Sequence, residues 1–452
     1  MASGETIAAI ATPPGRGAIA IVRASGPAVR TLVARVFRGP ALEARTATYG
    51  TILDASGAAI DRGLALFFAA PATYTGEDML ELHVHGSPVV AREVLRSLVQ
   101  HGARLAGPGE FTQRAFLAGK LDLSEAEAVA DIIEAESRGA ALAATARLAG
   151  GVRTVVESIR AQLAMTLEHL AGSIDFPDEV PDPERGTLTA ELDAIDRRLH
   201  ELIAGWETGR LVREGVGVAI VGPPNAGKSS LLNALLGADR ALVSDVAGTT
   251  RDTIEETIGI DGVLVRLTDT AGLRVTADPL ERAGIERTRA SLAGNQIALV
   301  VIDGSRPFDS DAREALAAAA ERPRIVFLNK SDLTKDLGPD LAEDALPAGA
   351  IVGSAFSAQS LTTLRRAIAQ LGWGGEMPDF ARPHLASARQ ADAVAAAQRA
   401  LGFARSTLAA GAAIDLAAPD LVAASAALGT IGGAEATEDV VSGIFARFCI
   451  GK

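Results

Sequence analysis

Short apolar runs alternate with amphipathic stretches through residues 211–373. The runs are dominated by Val, Ile and Leu, which is typical of strands buried on both faces of a sheet. Stretches of helical periodicity separate them, so the pattern predicts an α/β domain with a parallel sheet between layers of helices. The predicted strands are Val216–Val221, Val263–Thr268, Ile297–Asp303, Arg324–Leu328 and Ala350–Gly353.

The first 118 residues show short strands and frequent turns. Ile19–Val22 and Leu64–Phe68 are predicted strands, and Leu80–Val84 alternates between apolar and polar residues, as a strand with one buried face does. Prolines and glycines interrupt the chain, for example at Pro13–Gly17 and Gly107–Gly109. The pattern predicts an α+β domain.

Residues 119–210 and 374–452 are predicted to be helical. Ser124–Glu127 is a capping-box signature that predicts a helix start at Ser124. The next helix is predicted as one element over about 140–173. Large apolar residues then recur at spacings of three and four, which indicates one buried helix face in a bundle, at Leu188, Leu192, Ile195, Leu199, Leu202 and Trp206.

The helical segments flank the α/β region, so the simplest organisation is a discontinuous all-α domain with the α/β domain inserted into it. An insertion of this kind needs its entry and exit to lie close together. The predicted division is an α+β domain at 1–118, a first helical part at 119–210, the α/β domain at 211–373 and a second helical part at 374–452.

Composition excludes several classes of protein. With 452 residues, 48% of them hydrophobic, the chain has room for several cores. A formal charge of −13 argues against a general basic surface for nucleic acid, so an RNA contact requires a local patch or a second subunit. One cysteine excludes a disulfide framework and fits a reducing cytosol. We expect neither a signal peptide nor a membrane span.

Residues 222–229 match G-x-x-x-x-G-K-[ST], the phosphate-binding loop. The match lies between a predicted buried strand and a predicted helix, which is the context the motif requires. Gly222 and Gly227 let successive N–H groups converge on phosphate oxygens. Lys228 supplies a cation for the β- and γ-phosphates, and Ser229 a hydroxyl for Mg²⁺. The alternative, a chance glycine-rich turn, is excluded by the motifs that follow.

Those motifs occur in the order that a guanine-nucleotide site requires. Asp269–Gly272 follows an apolar strand, where an aspartate reaches Mg²⁺ through water and a glycine N–H meets the γ-phosphate. Asn329–Asp332 is an Asn-Lys-x-Asp set, whose carboxylate accepts two N–H donors of guanine. Ser354–Phe356 is predicted to cover the base with backbone N–H groups. Thr250 is predicted as a second hydroxyl on Mg²⁺.

Two residues are open to more than one interpretation. Leu273 stands where a glutamine usually positions the attacking water, so Glu281 is a candidate for that role. Alternatively, Glu281 is an acid favoured by the dipole at a helix N-terminus. Cys449 is either a small buried apolar residue or a thiol activated by nearby cations such as Lys452.

Taken over the whole chain, the sequence resembles the MnmE (TrmE) family of tRNA-modifying GTPases. The segments that carry the resemblance, besides the nucleotide motifs, are Thr12–Gly17, Gly76–Asp78, Pro108–Thr112, Lys120–Leu123, Ile174–Pro177 and Cys449–Lys452. The resemblance implies an N-terminal domain that binds tetrahydrofolate and dimerises. It also implies a Ras-like G domain inserted into the helical domain.

The resemblance further implies an activity. Members of the family act with the FAD-dependent protein MnmG to add an aminomethyl or carboxymethylaminomethyl group to C5 of the wobble uridine in certain tRNAs. The implied one-carbon donor is 5-formyltetrahydrofolate or a related folate. The implied assembly is a cytoplasmic homodimer that joins MnmG in a heterotetramer or larger complex, with GTP hydrolysis stimulated by K⁺ when the G domains meet.

Site residues are implied by position in the family motifs. Glu281 and Cys449 are the implied catalytic residues, and Mg²⁺ is assigned to Ser229 and Thr250. The implied K⁺ ligands are Asn225, Ser244, Val246 and Thr249, with serine at a position where the family also uses threonine. Folate binding is assigned to Arg23, Glu81, Lys120 and Lys452. The full set of GTP-binding residues is Asn225, Ala226, Gly227, Lys228, Ser229, Ser230, Ser244, Asp245, Val246, Ala247, Gly248, Thr249, Thr250, Asp269, Thr270, Ala271, Gly272, Asn329, Lys330, Ser331, Asp332, Ser354, Ala355 and Phe356.

Two other functions share some of these features. A regulatory or ribosome-assembly GTPase needs the phosphate loop and the guanine motif but neither folate nor a reactive thiol. A folate-dependent one-carbon enzyme would use its G domain only for regulation. Folate binding separates the first of these alternatives from a tRNA-modifying enzyme.

Overall fold

The chain forms two compact units in the computed structural model, which describes residues 4–176, 178–239, 255–269, 294–333 and 349–451 and only the backbone at 238–239, 255 and 269. The first unit contains Met1–Ala130, Arg147–Asp196 and Asp392–Lys452. The second contains Asp131–Ala146 and Arg197–Ala391. Domain boundaries at 118, 210 and 373 stay predictions.

A seven-stranded sheet forms the centre of the first unit, with strand order β3-β4-β5-β6-β2-β1-β7. Neighbouring strands are antiparallel, except for the short parallel pair β1–β7. The α+β prediction is confirmed, and each predicted strand lies inside a longer one. The strands are β1 Ile7–Ile10, β2 Ile19–Ser25, β3 Phe37–Arg38, β4 Thr48–Leu53, β5 Ala59–Phe68, β6 Met79–His85 and β7 Arg104–Leu105.

The two faces of this sheet have different environments. Helices α1 (Val29–Val36) and α2 (Pro88–Gln100) pack on one face, where Val22, Leu82 and other apolar side chains form a buried core. Alternate residues of the strands belong to the other face. Tyr49 lies opposite Leu64 on this second face, and both are exposed.

Helices make up most of the described chain between the two sheets and after the second one. The bundle prediction is confirmed, since five of the six residues of the predicted apolar face between Leu188 and Trp206 are buried. The helices are α3 Glu110–Leu117, α4 Leu123–Glu134, α5 Arg138–Leu148, α6 Gly151–Asp175 and α7 Arg185–Glu214. Further along the chain follow α11 Ala388–Ala409, α12 Ala418–Gly432 and α13 Glu438–Phe445.

Two helix boundaries differ from the sequence prediction. The capping box begins at Asp122 instead of Ser124: Asp122 Oδ1 accepts from Glu125 N–H at 2.8 Å, and Glu125 Oε2 accepts from Asp122 N–H at 2.7 Å. Aspartate caps a helix at least as well as serine, so Asp122, which comes first in the chain, serves as the N-cap. The single helix predicted over 140–173 is two helices, because Gly150 adopts a left-handed φ of 84° between them.

One segment, Ile414–Gly432, is long and apolar enough to cross a membrane by length and composition alone. It contains α12, which packs against α6 and buries Leu421, Leu428 and Ile431. A buried helix in a protein core meets the same two criteria. The segment is therefore weak evidence for a membrane span. The sequence analysis predicted no such span.

The second unit contains a six-stranded sheet with strand order β13-β12-β11-β8-β10-β9. All neighbouring strands are parallel except β9 and β10, which form a hairpin. The strands are β8 Val216–Val221, β9 Glu255–Ile260, β10 Val263–Asp269, β11 Ile297–Asp303, β12 Arg324–Asn329 and β13 Ile351–Val352. The described helices that follow strands of this sheet are α8 Lys228–Asp239, α9 Ser310–Ala318 and α10 Ala358–Trp373.

The central strand β8 is buried on both faces. Val218 and Ile220 belong to the apolar cluster that includes residues of α8 and α10, while Ala219 and Val221 belong to the cluster on the side of α9. The parallel α/β prediction is confirmed. The carboxyl ends of β8, β11 and β12 lie at one edge of the sheet, which is where α/β proteins bind ligands.

Candidate functional site

The loop between β8 and α8 has the backbone conformation of a phosphate cradle. Gly222 and Gly227 have φ angles of 148° and 92°, which disfavour any side chain. A Cβ on Gly222 would lie 2.1 Å from the Val301 carbonyl oxygen, and one on Gly227 would lie 2.3 Å from Asn329 Nδ2. Only glycine fits at either position.

Lys228 is the first residue of α8 and its side chain crosses back over the loop. Its Nζ donates to the carbonyl oxygens of Gly222 and Pro223, each at 2.8 Å. Ser229 and Ser230 follow in the first turn of α8 and are exposed. A helix N-terminus adds unpaired N–H groups and partial positive charge. The loop therefore offers a cation, N–H donors and hydroxyls at one place.

The Asn-Lys-x-Asp set follows β12 and is bonded directly to the phosphate loop. Asn329 Nδ2 donates to the Ala226 carbonyl at 2.9 Å, and Asn329 itself is buried. Lys330 Nζ donates to the Asn225 carbonyl at 2.8 Å. Asp332 is exposed in the short 3₁₀ turn Ser331–Leu333. The structure thus joins two motifs that are about a hundred residues apart in sequence.

The segment predicted to cover the base lies next to this set. Ala355 N–H donates to Asn329 Oδ1 at 2.9 Å, and Phe356 N–H donates to Ser354 Oγ at 3.2 Å. The N–H groups of Ala355 and Phe356, which the sequence assigned to the base, therefore donate to protein side chains in this structure. The Phe356 side chain is 84% exposed. Ala355 N–H orients the asparagine that supports the phosphate loop, and the contact of this segment with the base stays a prediction.

Lys330 has a second partner that the sequence motifs did not predict. Its Nζ lies 2.6 Å from Oδ2 of Asp303, the last residue of β11. The available sequence signal was an aspartate ending a buried apolar strand next to the one that carries the guanine motif. Motif reading missed it because Asp303 belongs to none of the nucleotide motifs.

Several predicted site residues lie outside the described residues. They are Ser244, Asp245, Val246, Ala247, Gly248, Thr249, Thr250, Thr270, Ala271, Gly272, Glu281 and Lys452. Asp269 is described by its backbone alone. It ends β10 in register with Ile220 of β8, so its main chain lies at the sheet edge next to the phosphate loop.

A second group of predicted residues meets in the first unit. Arg23 and Glu81 are opposite each other on β2 and β6, and Arg23 Nη2 lies 2.7 Å from Glu81 Oε1. The Arg23 guanidinium also lies over the Phe111 ring, 5.7 Å from its centroid. Lys120 lies beside Gly76, and among the described residues no hydrogen bond or ion pair joins it to Arg23 and Glu81.

The end of the chain lies along the N-terminal sheet. Ile450 forms an antiparallel bridge with Pro108, and Gly109 N–H donates to the Cys449 carbonyl at 3.4 Å. Arg23 Nη1 donates to the Gly451 carbonyl at 3.5 Å. The Cys449 side chain is exposed, so the interpretation as a buried apolar residue is wrong. The thiol of Cys449 is therefore two residues before Gly451, whose carbonyl is hydrogen-bonded to Arg23.

Glu110 stabilises the turn that receives this tail. Its carboxylate accepts from Gly107 N–H at 2.8 Å, from Arg104 at 2.7 Å and from Arg114 at 3.0 Å. Burial raises the pKa of Glu110, but the bonds from Arg104, Gly107 and Arg114 outweigh burial and hold the pKa at about 2.

Stability should consequently depend on pH through Glu110. Because its folded pKa lies below the ordinary value of 4.5, its contribution is complete above pH 4.5 and disappears as the pH falls to about 2. We expect Glu110→Gln to lose on the order of 2 kcal/mol of unfolding free energy at pH 7 and to lessen the acid dependence. Urea denaturation at a series of pH values measures both.

Glu93→Gln is the matched control, because the Glu93–Arg96 pair is exposed. Such a pair contributes about 0–1 kcal/mol. Equal acid dependence in wild type and Glu110→Gln would contradict the role assigned to Glu110.

The second unit has the features that define one class of protein. A phosphate-binding loop lies at the carboxyl edge of a parallel sheet, and the loop that follows a neighbouring strand carries Asn329, Lys330 and Asp332. The first feature binds a nucleoside polyphosphate, and the second selects guanine. The α/β part of this unit is a G domain of the P-loop GTPase class.

Comparison with known proteins identifies the family. The model for the GTP-binding protein TrmE N-terminus matches residues 6–120, and the model for the MnmE helical domain matches residues 123–449. The chain is 43% identical to the tRNA modification GTPase MnmE of Chloroflexus aurantiacus over 99% of this chain and 100% of that protein. It is 41% identical to the protein of the same name from Heliobacterium modesticaldum, with the same coverage. This chain belongs to the MnmE family of tRNA modification GTPases.

Among solved structures, the FeoB G domain from Methanococcus jannaschii is similar to 35% of this chain over 97% of its own length. The two are 22% identical and the TM-score is 0.27. The strand order and the phosphate loop, and not this weak likeness, define the G domain.

Proposed function

We propose that this chain is the GTP-hydrolysing component of a tRNA-modifying enzyme. With an FAD-dependent protein of the MnmG type, it adds an aminomethyl or carboxymethylaminomethyl group to C5 of the wobble uridine in certain tRNAs. The observation that carries the proposal is the presence, in one chain, of a guanine-nucleotide site and of a thiol-bearing tail lying beside Arg23. The names of the relatives, tRNA modification GTPase, support the tRNA substrate.

In the proposed reaction the G domain binds GTP through Lys228 and Ser229, whose positions the structure describes, and through Thr250 and Glu281, which lie outside the described residues. The Lys228 ammonium exchanges the carbonyls of Gly222 and Pro223 for phosphate oxygens and neutralises their charge. Ser229 and Thr250 would hold Mg²⁺, which would neutralise phosphate charge when bound. Glu281 orients the attacking water, in place of the glutamine that other GTPases use.

The proposed K⁺ site is built around Asn225. This residue has a left-handed φ of 61°, its side chain is exposed, and its carbonyl is already bonded to Lys330. A carboxamide oxygen is a suitable ligand for a hard cation. The site would be completed by Ser244 and by the carbonyls of Val246 and Thr249. A cation here stabilises the charge that develops near the β–γ bridge in the transition state.

The proposed folate site includes Arg23 and Glu81. Arg23 binds Glu81 Oε1, and the one partner of Oε2 among the described residues is His83 Nε2 at 3.4 Å. Glu81 therefore retains capacity to accept an N–H of the pterin ring, and Lys120 and Lys452 are cations suited to the glutamyl carboxylates. A folate bound here would lie beside the tail that carries Cys449, because Arg23 donates to the Gly451 carbonyl.

We also propose a cytoplasmic homodimer formed through the N-terminal domain, in line with the family resemblance. The second face of the N-terminal sheet supports this part of the proposal, because Tyr49 and Leu64 are exposed there. A second copy of the chain would bury these apolar side chains at a two-fold axis.

Mass spectrometry of wobble uridines tests the proposal. Cells that lack this chain should lose the C5 modification, and the wild-type gene should restore it. Unchanged wobble uridines would favour a regulatory GTPase. Titration of the full-length protein with 5-formyltetrahydrofolate supplies the second criterion, because a regulatory GTPase has no reason to bind folate.

A further inference from the structure

Asp303 is the one described carboxylate in contact with the lysine of the guanine motif. It ends β11, beside the strand that carries Asn329, and its side chain is only 14% exposed. Oδ2 faces Lys330 Nζ at 2.6 Å, while Oδ1 accepts the Ser305 N–H at 3.0 Å. Both oxygens of a nearly buried group are thus engaged.

Lys330 is held between two chain segments by this contact. Its Nζ also donates to the Asn225 carbonyl at 2.8 Å, and its backbone has a left-handed φ of 67°. A lysine in this region of φ costs on the order of 1 kcal/mol or more, so surrounding contacts must maintain it. A long side chain with a single carbonyl partner would keep much of its rotamer freedom. The carboxylate and the carbonyl together hold the ammonium in place.

Lys330 is a closer partner of Asp303 than the other cation nearby, Arg306. Arg306 lies 3.7 Å from Oδ2, but its side chain is 74% exposed. Burial raises the pKa of Asp303, but the hydrogen bonds from Lys330 and Ser305 lower the pKa by more than burial raises it. The net shift of the pKa is therefore downward. The carboxylate is therefore ionised at neutral pH and available to the lysine.

We propose that Asp303 is a positioning residue that couples guanine binding to the K⁺ site. It holds Lys330 on the Asn225 carbonyl, and thereby fixes the backbone of the residue whose side chain is the proposed K⁺ ligand. The inference rests on the proposed function for its K⁺ part. Its nucleotide part rests only on the contacts of Asp303, Lys330 and Asn225.

The test is Asp303→Asn in the full-length protein, since asparagine has nearly the same shape without the charge. Loss of this charge-assisted contact should raise the Kd for GTP by about tenfold, which corresponds to about 1.4 kcal/mol. The K⁺ concentration for half-maximal GTP turnover should rise several-fold. Turnover at saturating GTP and K⁺ should stay within about twofold, because Asp303 touches no reacting group.

Arg306→Ala is the matched control, because it removes the other described cation near Asp303 and leaves Lys330 paired. We expect the Kd for GTP and the K⁺ concentration for half-maximal turnover to be unchanged in this variant. Lys330→Ala should remove the effect of Asp303→Asn in a double-mutant cycle, since the two side chains act through one contact. A cycle with additive effects would overturn the proposal.

Two further outcomes separate the inference from the function it rests on. If the Kd for GTP rises while the K⁺ requirement is unchanged, Asp303 has only a structural role and the coupling is wrong. If wild type turns over GTP equally in Na⁺ and K⁺ at one ionic strength, the K⁺ site itself is wrong. The cycle on GTP affinity then decides alone whether Asp303 positions Lys330.

Discussion

Replacing Asp332 by asparagine is expected to weaken GTP binding by about a thousandfold and to allow xanthosine triphosphate to bind instead. The carboxylate is exposed in the turn after β12, where it can accept N1–H and the amino group of guanine. Two charge-assisted hydrogen bonds of about 1.5–3 kcal/mol each depend on it. Xanthine has a carbonyl oxygen in place of the amino group, so an asparagine amide can donate to that oxygen and accept N1–H.

Isothermal titration of the full-length protein with GDP and with xanthosine diphosphate measures this exchange of specificity. Asp309→Asn is the matched control. Asp309 caps α9 by accepting the Ala312 N–H at 2.9 Å, and asparagine caps about as well as aspartate. Its nucleotide affinities should equal those of wild type. GDP binding that survives unchanged in Asp332→Asn would remove this residue from the guanine site.

Apolar periodicity predicted the G-domain strands that are buried on both faces. β8, β11 and β12 are short runs rich in Val, Ile and Leu, and they were found from that signal. β9, which the sequence analysis missed, is an edge strand in which described residues alternate between buried and less buried positions. Six residues with a polar alternate face resemble a loop until their partner strand is known.

Helix ends were predicted less well, since several local signals compete there. Both Asp122 and Ser124 can cap, and the pattern of letters does not show which side chain reaches the N–H groups. Ser124 Oγ donates to Asp122 Oδ1 instead. Gly150 is tolerated inside a helix or ends it, and only the packing on either side decides.

In the candidate site, too, some features could be predicted from the sequence and others could not. Groups that one backbone segment delivers, such as those of the phosphate loop, follow from spacing, because the local conformation is inherent in the motif. Pairings between distant segments do not. The Arg23–Glu81 and Asp303–Lys330 contacts depend on which strands are neighbours and in what register. That information is absent from the pattern of any single segment.

Cys449→Ser is expected to abolish tRNA modification while GTP turnover stays near the wild-type rate. The thiol is exposed at the end of a tail that is bonded to Pro108, Gly109 and Arg23 by its backbone. A serine hydroxyl is a far weaker nucleophile and acid at neutral pH. The substitution keeps the backbone contacts of the tail, so the loss isolates the chemistry of the sulfur. Mass spectrometry of tRNA from a reconstituted reaction gives the first quantity, and phosphate release gives the second.

Ile450→Ala is the matched control, because the Ile450 side chain is 61% exposed while its contact with Pro108 is made by the backbone. Modification by this variant should be close to wild type. Gly451→Ala provides the opposite case: the φ of Gly451 is 99°, and a Cβ would lie 2.5 Å from the Ile10 carbonyl oxygen. That variant should lose modification with its thiol intact, because the tail cannot lie in place. Full modification by Cys449→Ser would leave the thiol without a chemical role and make the position of the tail its only contribution.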